Sequence, residues 1–140
     1  MLRSILIILT LLSVPSILTA YSNELSINSR NFTIDIASSH LEKAMGLMYV
    51  ENIPENYGLL FVYKKPQEVG IWMKNTLISL DILWIDKSNR IVHIETNTLP
   101  NSTQIMRPNK KVTYVLEVIS GTVKKYNIKV GDIIKLTELE

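Results

Sequence analysis

Trp72-Met73-Lys74-Asn75-Thr76-Leu77-Ile78-Ser79-Leu80-Asp81-Ile82-Leu83-Trp84-Ile85 holds both tryptophans of the chain and its densest apolar run outside the N-terminus. In its second half, Leu80 to Ile85, apolar residues would lie on both faces of an extended segment, the pattern of a strand inside a sheet rather than at its edge. The first half continues a strand into a bend at Asn75-Thr76. Lys74, Asn75 and Asp81 interrupt the run, and a charge among core-facing side chains must find a partner or neutralise.

Upstream of this stretch, Gly58 to Tyr63 reads as a short buried strand that closes at Lys64-Lys65-Pro66, with Val69 to Met73 extended after the turn. Ser39-His40-Leu41-Glu42 matches a capping box, so a helix begins there. Leu41, Ala44, Met45 and Met48 recur at helical spacing as a stripe that should pack on the sheet, and Gly46 or Asn52-Ile53-Pro54 ends the helix. Leu25-Ser26-Ile27 and Phe32 to Ile36 form a hairpin around Asn28 to Asn31. Downstream, Asp86 to Asn89 turns the chain into a strand from Arg90 to Thr96, with Ile91, His93 and Glu95 on one face. Asn97 to Asn109 has two prolines and no period, so it is a long loop, a class often mobile or functional. Val112 to Ser120 alternates, with Tyr114, Leu116 and Val118 on one face and Glu117 among Val115 and Ile119 on the other. Gly121 breaks that strand, Thr122 to Tyr126 makes a helical turn, and Ile133 to Leu136 is the last strand.

With 140 residues, 46% hydrophobic and 20% charged, residues 23–140 suit a single β-rich globular domain. The formal charge of +2 gives no field that favours nucleic acid. The absence of cysteine excludes disulfides, thiolate metal sites and a cysteine nucleophile. His40 and His93 are the only histidines, neither sits in a recognisable catalytic motif, and no metal or cofactor is implied. Residues 1–22 have the layout of a secretory signal peptide: Arg3, the aliphatic run Ile5 to Leu12, Pro15, and small residues at Ala20 and Ser22. Cleavage near residues 20–22 is expected, which makes the protein exported, periplasmic or secreted. The alternative is an uncleaved anchor over residues 4–23, the only membrane contact the sequence offers.

Gly46-Leu47-Met48, Gly58 to Val62, Trp72 to Ile78, Leu80-Asp81-Ile82, Tyr114 to Glu117 and Gly131-Asp132 stand in the order of the landmarks of one family. The chain from Asn31 to Leu136 resembles the bacterial and archaeal proteins grouped as domain of unknown function 192. The resemblance implies an α+β, β-rich fold, a small curved antiparallel or mixed sheet, barrel-like and crossed by one helix. It also implies export, common among members, and no established activity. Ser79 stands where the family usually has proline, and Val50 and Lys43 stand where arginine is common. If those positions shape a ligand site, this chain's site is altered.

Trp72, Lys74, Asn75, Asp81 and Glu117 are the candidate ligand-binding residues, expected to converge at one end of the sheet around a small polar pocket, with Tyr49, Tyr57 and Tyr63 as possible rim groups. No catalytic residue is assigned. The competing reading is structural: Asp81 and Glu117 cap backbone N–H groups or pair with Lys74 and Lys43 and fix the register of the barrel. Three functions follow. The first is a non-enzymatic envelope module that binds a small ligand or a protein partner beside the long loop. The second is a hydrolase-like enzyme with Asp81 and Glu117 as acid and base. The third is a structural or assembly factor acting through a sheet edge.

Overall fold

The computed structural model describes residues 23–137, so the expected signal peptide and the expected cleavage near residues 20–22 lie outside the described residues. The elements in chain order are β1 (Glu24–Ile27), β2 (Arg30–Ala37), α1 (His40–Met45), β3 (Tyr57–Glu68), β4 (Leu80–Ile85), β5 (Ile91–Glu95), β6 (Lys111–Ile119), α2 (Thr122–Lys125) and β7 (Ile134–Leu136). They build one seven-stranded sheet in the order β5-β4-β6-β3-β2-β1-β7. Every pairing is antiparallel except β2 with β3, whose parallel register requires the crossover that carries α1. The sheet curls until its two edge strands approach: Arg90 bridges Ile133, and the Ile91 N–H donates to Asp132 O at 2.9 Å. The β-rich α+β architecture with a curved mixed sheet is the one the sequence predicts.

Two apolar cores lie on opposite faces of this sheet, and strand alternation assigns each residue to one of them. Leu25, Ile27, Phe32, Ile34, Leu60, Leu83, Ile85, Ile91, Leu116, Val118 and Ile134 come from all seven strands and fill the concave side. On the convex side, Leu59, Phe61, Leu80, Ile82, Trp84 and Val115 are covered by Leu47 and Ile53 from the crossover and by Val69, Ile71 and Met73 from the segment after β3. This second layer explains why β4 is buried at all six positions. Trp84 fastens the cover by donating its indole N–H to Val69 O at 3.0 Å. Gly58 lets β3 pack closely on β6, because a Cβ there would stand 2.8 Å from Leu116 Cδ1.

Several local expectations change. β3 does not close at Lys64-Lys65-Pro66 but runs on to Glu68, with an irregularity between Val62 and Gln67 where the ladder to β6 lapses. Pro66 falls inside that lapse, where no ladder hydrogen bond is asked of it. Val69 to Met73 forms no strand, only a single bridge from Ile71 to Met106. A bulge between Trp84 and Ile85 shifts the β5 register by one, so Ile91 turns into the concave core while His93 faces Trp84 on the other side. The capping box forms as read: the Glu42 N–H donates to Ser39 Oγ at 3.2 Å and the Ser39 N–H to Glu42 Oε2 at 2.8 Å. The helix it starts is only six residues long and buries none of them. Leu41 and Met45 are 71% and 45% exposed, because the crossover buries Leu47 and Ile53 just after the helix instead. The long loop is tied down: Thr98 N–H donates to Leu80 O, Asn101 N–H to Thr76 O, and Met106 pairs with Ile71. Ser79, at the position where the family usually has proline, joins the same tie by donating its hydroxyl to Thr98 O at 2.8 Å.

Candidate functional site

Glu117 lies near the C-terminal end of β6, opposite Leu59 on β3 and Ile82 on β4. Its neighbours in the strand alternate, so the side chain must rise from the convex face, under the crossover and the segment after β3. It is 5% exposed, and its Oε2 is sealed without a hydrogen-bond partner. Burial pushes its carboxyl up to about 8, so at neutral pH the group is mostly a neutral acid. Above it opens a cavity of about 80 Å³.

Each wall of that cavity has a local cause. Gly46 ends α1 with φ 48°, a left-handed value that favours glycine. A Cβ at Gly46 would lie 3.3 Å from Phe61 Cζ and 3.8 Å from Glu117 Oε2, so the missing side chain is what leaves the space open. Lys43 ties α1 to the sheet by donating to Ser38 O at 2.8 Å and Val62 O at 3.0 Å, with its ammonium 4.6 Å from the Tyr63 ring centroid. Trp72 and Lys74 form the opposite lip, with Lys74 Nζ 5.1 Å from the Trp72 ring centroid and Trp72 43% exposed. Burial, and next the Glu117 charge, raise the Tyr63 hydroxyl to about 12, so it keeps its proton. The lips are apolar and open to solvent at Met45 and Trp72, and Leu41 stands one helical turn before Met45.

Of the five residues singled out in the sequence, the structure gathers Trp72, Lys74 and Glu117 around this cavity. Asn75 stands beside it in a left-handed turn and contributes its carbonyl, which accepts the Tyr49 N–H at 2.9 Å. Asp81 is not brought there. It pairs with Val118 while Ile82 pairs with Glu117, so neighbouring ladder positions send the two acids to opposite faces of the sheet. The Asp81 carboxylate accepts the Gly121 N–H at 3.1 Å, the Val123 N–H at 2.9 Å and the Asn97 N–H at 3.0 Å, which fastens the start of α2 and the long loop to β4. This is the capping role, and it removes the geometric basis for an acid and base pair made of Asp81 and Glu117. Met45, Gly46 and Phe61 are not among the five, Tyr63 enters only as a rim group, and Lys43 only as a position where the family commonly has arginine and as a pairing partner for the acids. The signal that pointed toward them is the Gly46-Leu47-Met48 landmark, whose place above β6 is set by the crossover rather than by any local pattern.

A second hollow of about 360 Å³ lies beside the long loop, lined by Met73, Glu95, Asn97, Leu99, Ser102 and Ile105 among others. No side-chain atom lining it is buried and unpaired. His93 is engaged by Glu95 at 2.9 Å and lies edge-on to Trp84. Among the described residues no group of three histidine, cysteine, aspartate or glutamate side chains is placed to hold a metal ion.

The chain is similar to UPF0127 proteins of two archaea. It is 28% identical to one from Thermococcus kodakarensis over 109 residues, 76% of this chain and 66% of that protein. It is 27% identical to another from Thermococcus gammatolerans, over 72% of this chain and 64% of that one. The chain thus spans slightly less than two thirds of these relatives. Among solved structures, a protein of Sinorhizobium meliloti 1021 described as a candidate transcription regulator is 31% identical and superposes with a TM-score of 0.79, covering 83% of this chain and 95% of that one. A protein of unknown function from Novosphingobium aromaticivorans is 26% identical with a TM-score of 0.77, covering 80% and 83%. The family model DUF192, described as Uncharacterized ACR, matches residues 23–136. With landmarks, relatives and fold in agreement over nearly all of its described length, the chain belongs to the DUF192 family.

Proposed function

We propose that this chain is a non-enzymatic binding module of the cell envelope, exported by its leader, and that it receives part of a small ligand or of a partner protein in the cavity over Glu117. One observation carries the reading: a glutamate side chain is buried in a β-strand with an oxygen that no group among the described residues satisfies, directly beneath an opening. Buried polar atoms are nearly always paired, and an exception facing a cavity is a place where a bound group can supply the missing partner. The exposed apolar lips at Met45 and Trp72 suit the remainder of such a ligand. The layout of residues 1–22 supports export. A single acid in the cavity, with Asp81 on the other face, gives the hydrolase reading no pair of groups to use. The edge strands are short and meet at Arg90 and Ile133, which leaves little free edge for an assembly factor.

The test is purification of the native protein from its own envelope fraction, followed by mass spectrometry of whatever travels with it. A small molecule or partner should accompany the wild type and be lost from the Glu117→Gln protein. Recovery from the cytosol, or an empty and partnerless monomer, would contradict the reading.

A further inference from the structure

The cavity over Glu117 lacks one thing that its composition calls for. A buried carboxyl group needs a cation to ionise, and burial alone governs this one, with no ammonium or guanidinium offsetting it. The two lysines of the cavity wall are occupied elsewhere: Lys43 by two backbone carbonyls and the Tyr63 ring, Lys74 by the outer Trp72 ring. Three aromatic side chains, Phe61, Tyr63 and Trp72, line the same cavity, and two of them already hold an ammonium against a ring face. Aromatic faces attract cations, and cages of such rings are the usual receptors for methylated and quaternary ammonium groups.

We propose that the Glu117 cavity is a subsite for a small organic ammonium group, a primary or methylated amine at the end of a larger ligand, seated among Phe61, Tyr63 and Trp72 with the Glu117 carboxylate as its counter-ion. The proposal rests on the binding reading above and names the class of ligand. A space of about 80 Å³ admits only a few heavy atoms, far below what a whole drug-sized ligand fills, so the ammonium is the inserted end and the rest of the molecule lies along the Met45 and Trp72 lips. Lys74 is exposed and can leave the Trp72 face as the amine arrives. On entry the Glu117 proton passes to solvent, and the pair is charge-balanced in the closed site. Lys43 from the crossover, Tyr63 from β3 and Lys74 from the segment after it line the cavity with Glu117, both ammonium groups turned to other partners, and Tyr57 on β3 is the further titratable group that feels the Glu117 charge. Burial holds the protons on both tyrosines well beyond neutral pH, which leaves Glu117 as the group whose ionisation limits binding.

Methylammonium, acetamide and acetate are all small enough for the cavity and differ in charge, so the folded chain is titrated with each and followed by NMR at the Gly46 and Glu117 amides and the Trp72 indole. Methylammonium alone should shift these signals, with apparent affinity rising about tenfold per pH unit between pH 5 and 7 because the site must first lose a proton. Glu117→Gln should weaken that binding at least tenfold, and Trp72→Leu, on the exposed lip where folding is not at risk, several-fold. Equal binding to Glu117→Gln, a flat pH profile, or acetamide or acetate filling the cavity instead would overturn the ammonium assignment and leave a binding site for another class. No response to methylammonium also overturns it, and the material co-purifying with the native protein then decides the broader reading independently.

Discussion

Glu117 and Asp81 are both buried acids on paired strands, and their surroundings send them to opposite uses. Asp81 meets three backbone N–H groups and is a structural anchor. Replacing it with alanine should cost about 3 kcal/mol or more, since hydrogen bonds to a charged group are each worth roughly 1.5 to 3 kcal/mol and buried donors are left unmet. Denaturant titration measures the loss, and amide exchange at Gly121 and Val123 should accelerate with it. Glu117 Oε2 has no hydrogen-bond partner among the described residues, and its folded-state pKa of about 8 lies above the ordinary value of 4.5. Below pH 4.5 it carries its proton whether the chain is folded or unfolded. Between 4.5 and 8 the unfolded chain ionises while the folded one retains the proton, so stability falls as pH rises and levels off above 8. The fall across this window should be roughly 5 kcal/mol for the wild type and absent from Glu117→Gln, apart from what other groups contribute. Unfolding curves taken at several pH values compare the two directly; parallel profiles would show that Glu117 ionises freely in the folded protein.

At the scale of elements, strands with clean alternation were legible and segments whose position depends on distant contacts were not. β6 placed Glu117 opposite its neighbours Leu116 and Val118 as the spacing predicts, and β4 read as interior because it is apolar on both faces. The bulge at Trp84 and Ile85 has no local signature, so the faces of β5 were misassigned around Ile91. The stripe of Leu41, Ala44, Met45 and Met48 reads as a buried helix face, yet six residues are too few to span the sheet, and Ala44, Met45 and Met48 line the cavity instead while Leu41 stays exposed. Convergence of Asp81 with Glu117 could not be judged without the register, because a shift of one residue exchanges faces. The cover over the convex face is held by backbone pairs such as Ile71 with Met106 and by side chains that reach to backbone carbonyls. Trp84→Phe removes the donor to Val69 O and should cost about 1 to 3 kcal/mol, with faster exchange at Ile71 and Met73 as its local mark. Lys43→Met removes both ties from α1 and should speed exchange in the helix while leaving β6 protected.

At the scale of the molecule, one curled sheet supports two cores with different work. The concave core, drawn from all seven strands, holds the shape, while the convex layer is assembled from loops and leaves a gap over one acid. The gap depends on Gly46, whose positive φ and lack of a side chain are both required there. The family resemblance located this glycine and the tryptophan opposite it as landmarks, but only the crossover between the parallel strands β2 and β3 shows that they face each other across Glu117. The ionisation of Glu117 in the free, folded protein is therefore the most direct probe of the proposed site. A carbon-detected NMR titration of its side-chain carboxyl should give a midpoint near 8, as burial without a partner requires. A midpoint in the ordinary carboxylate range near 4.5 would mean that the group is already solvated or paired, and the cavity would then have no unmet acid for a ligand to answer.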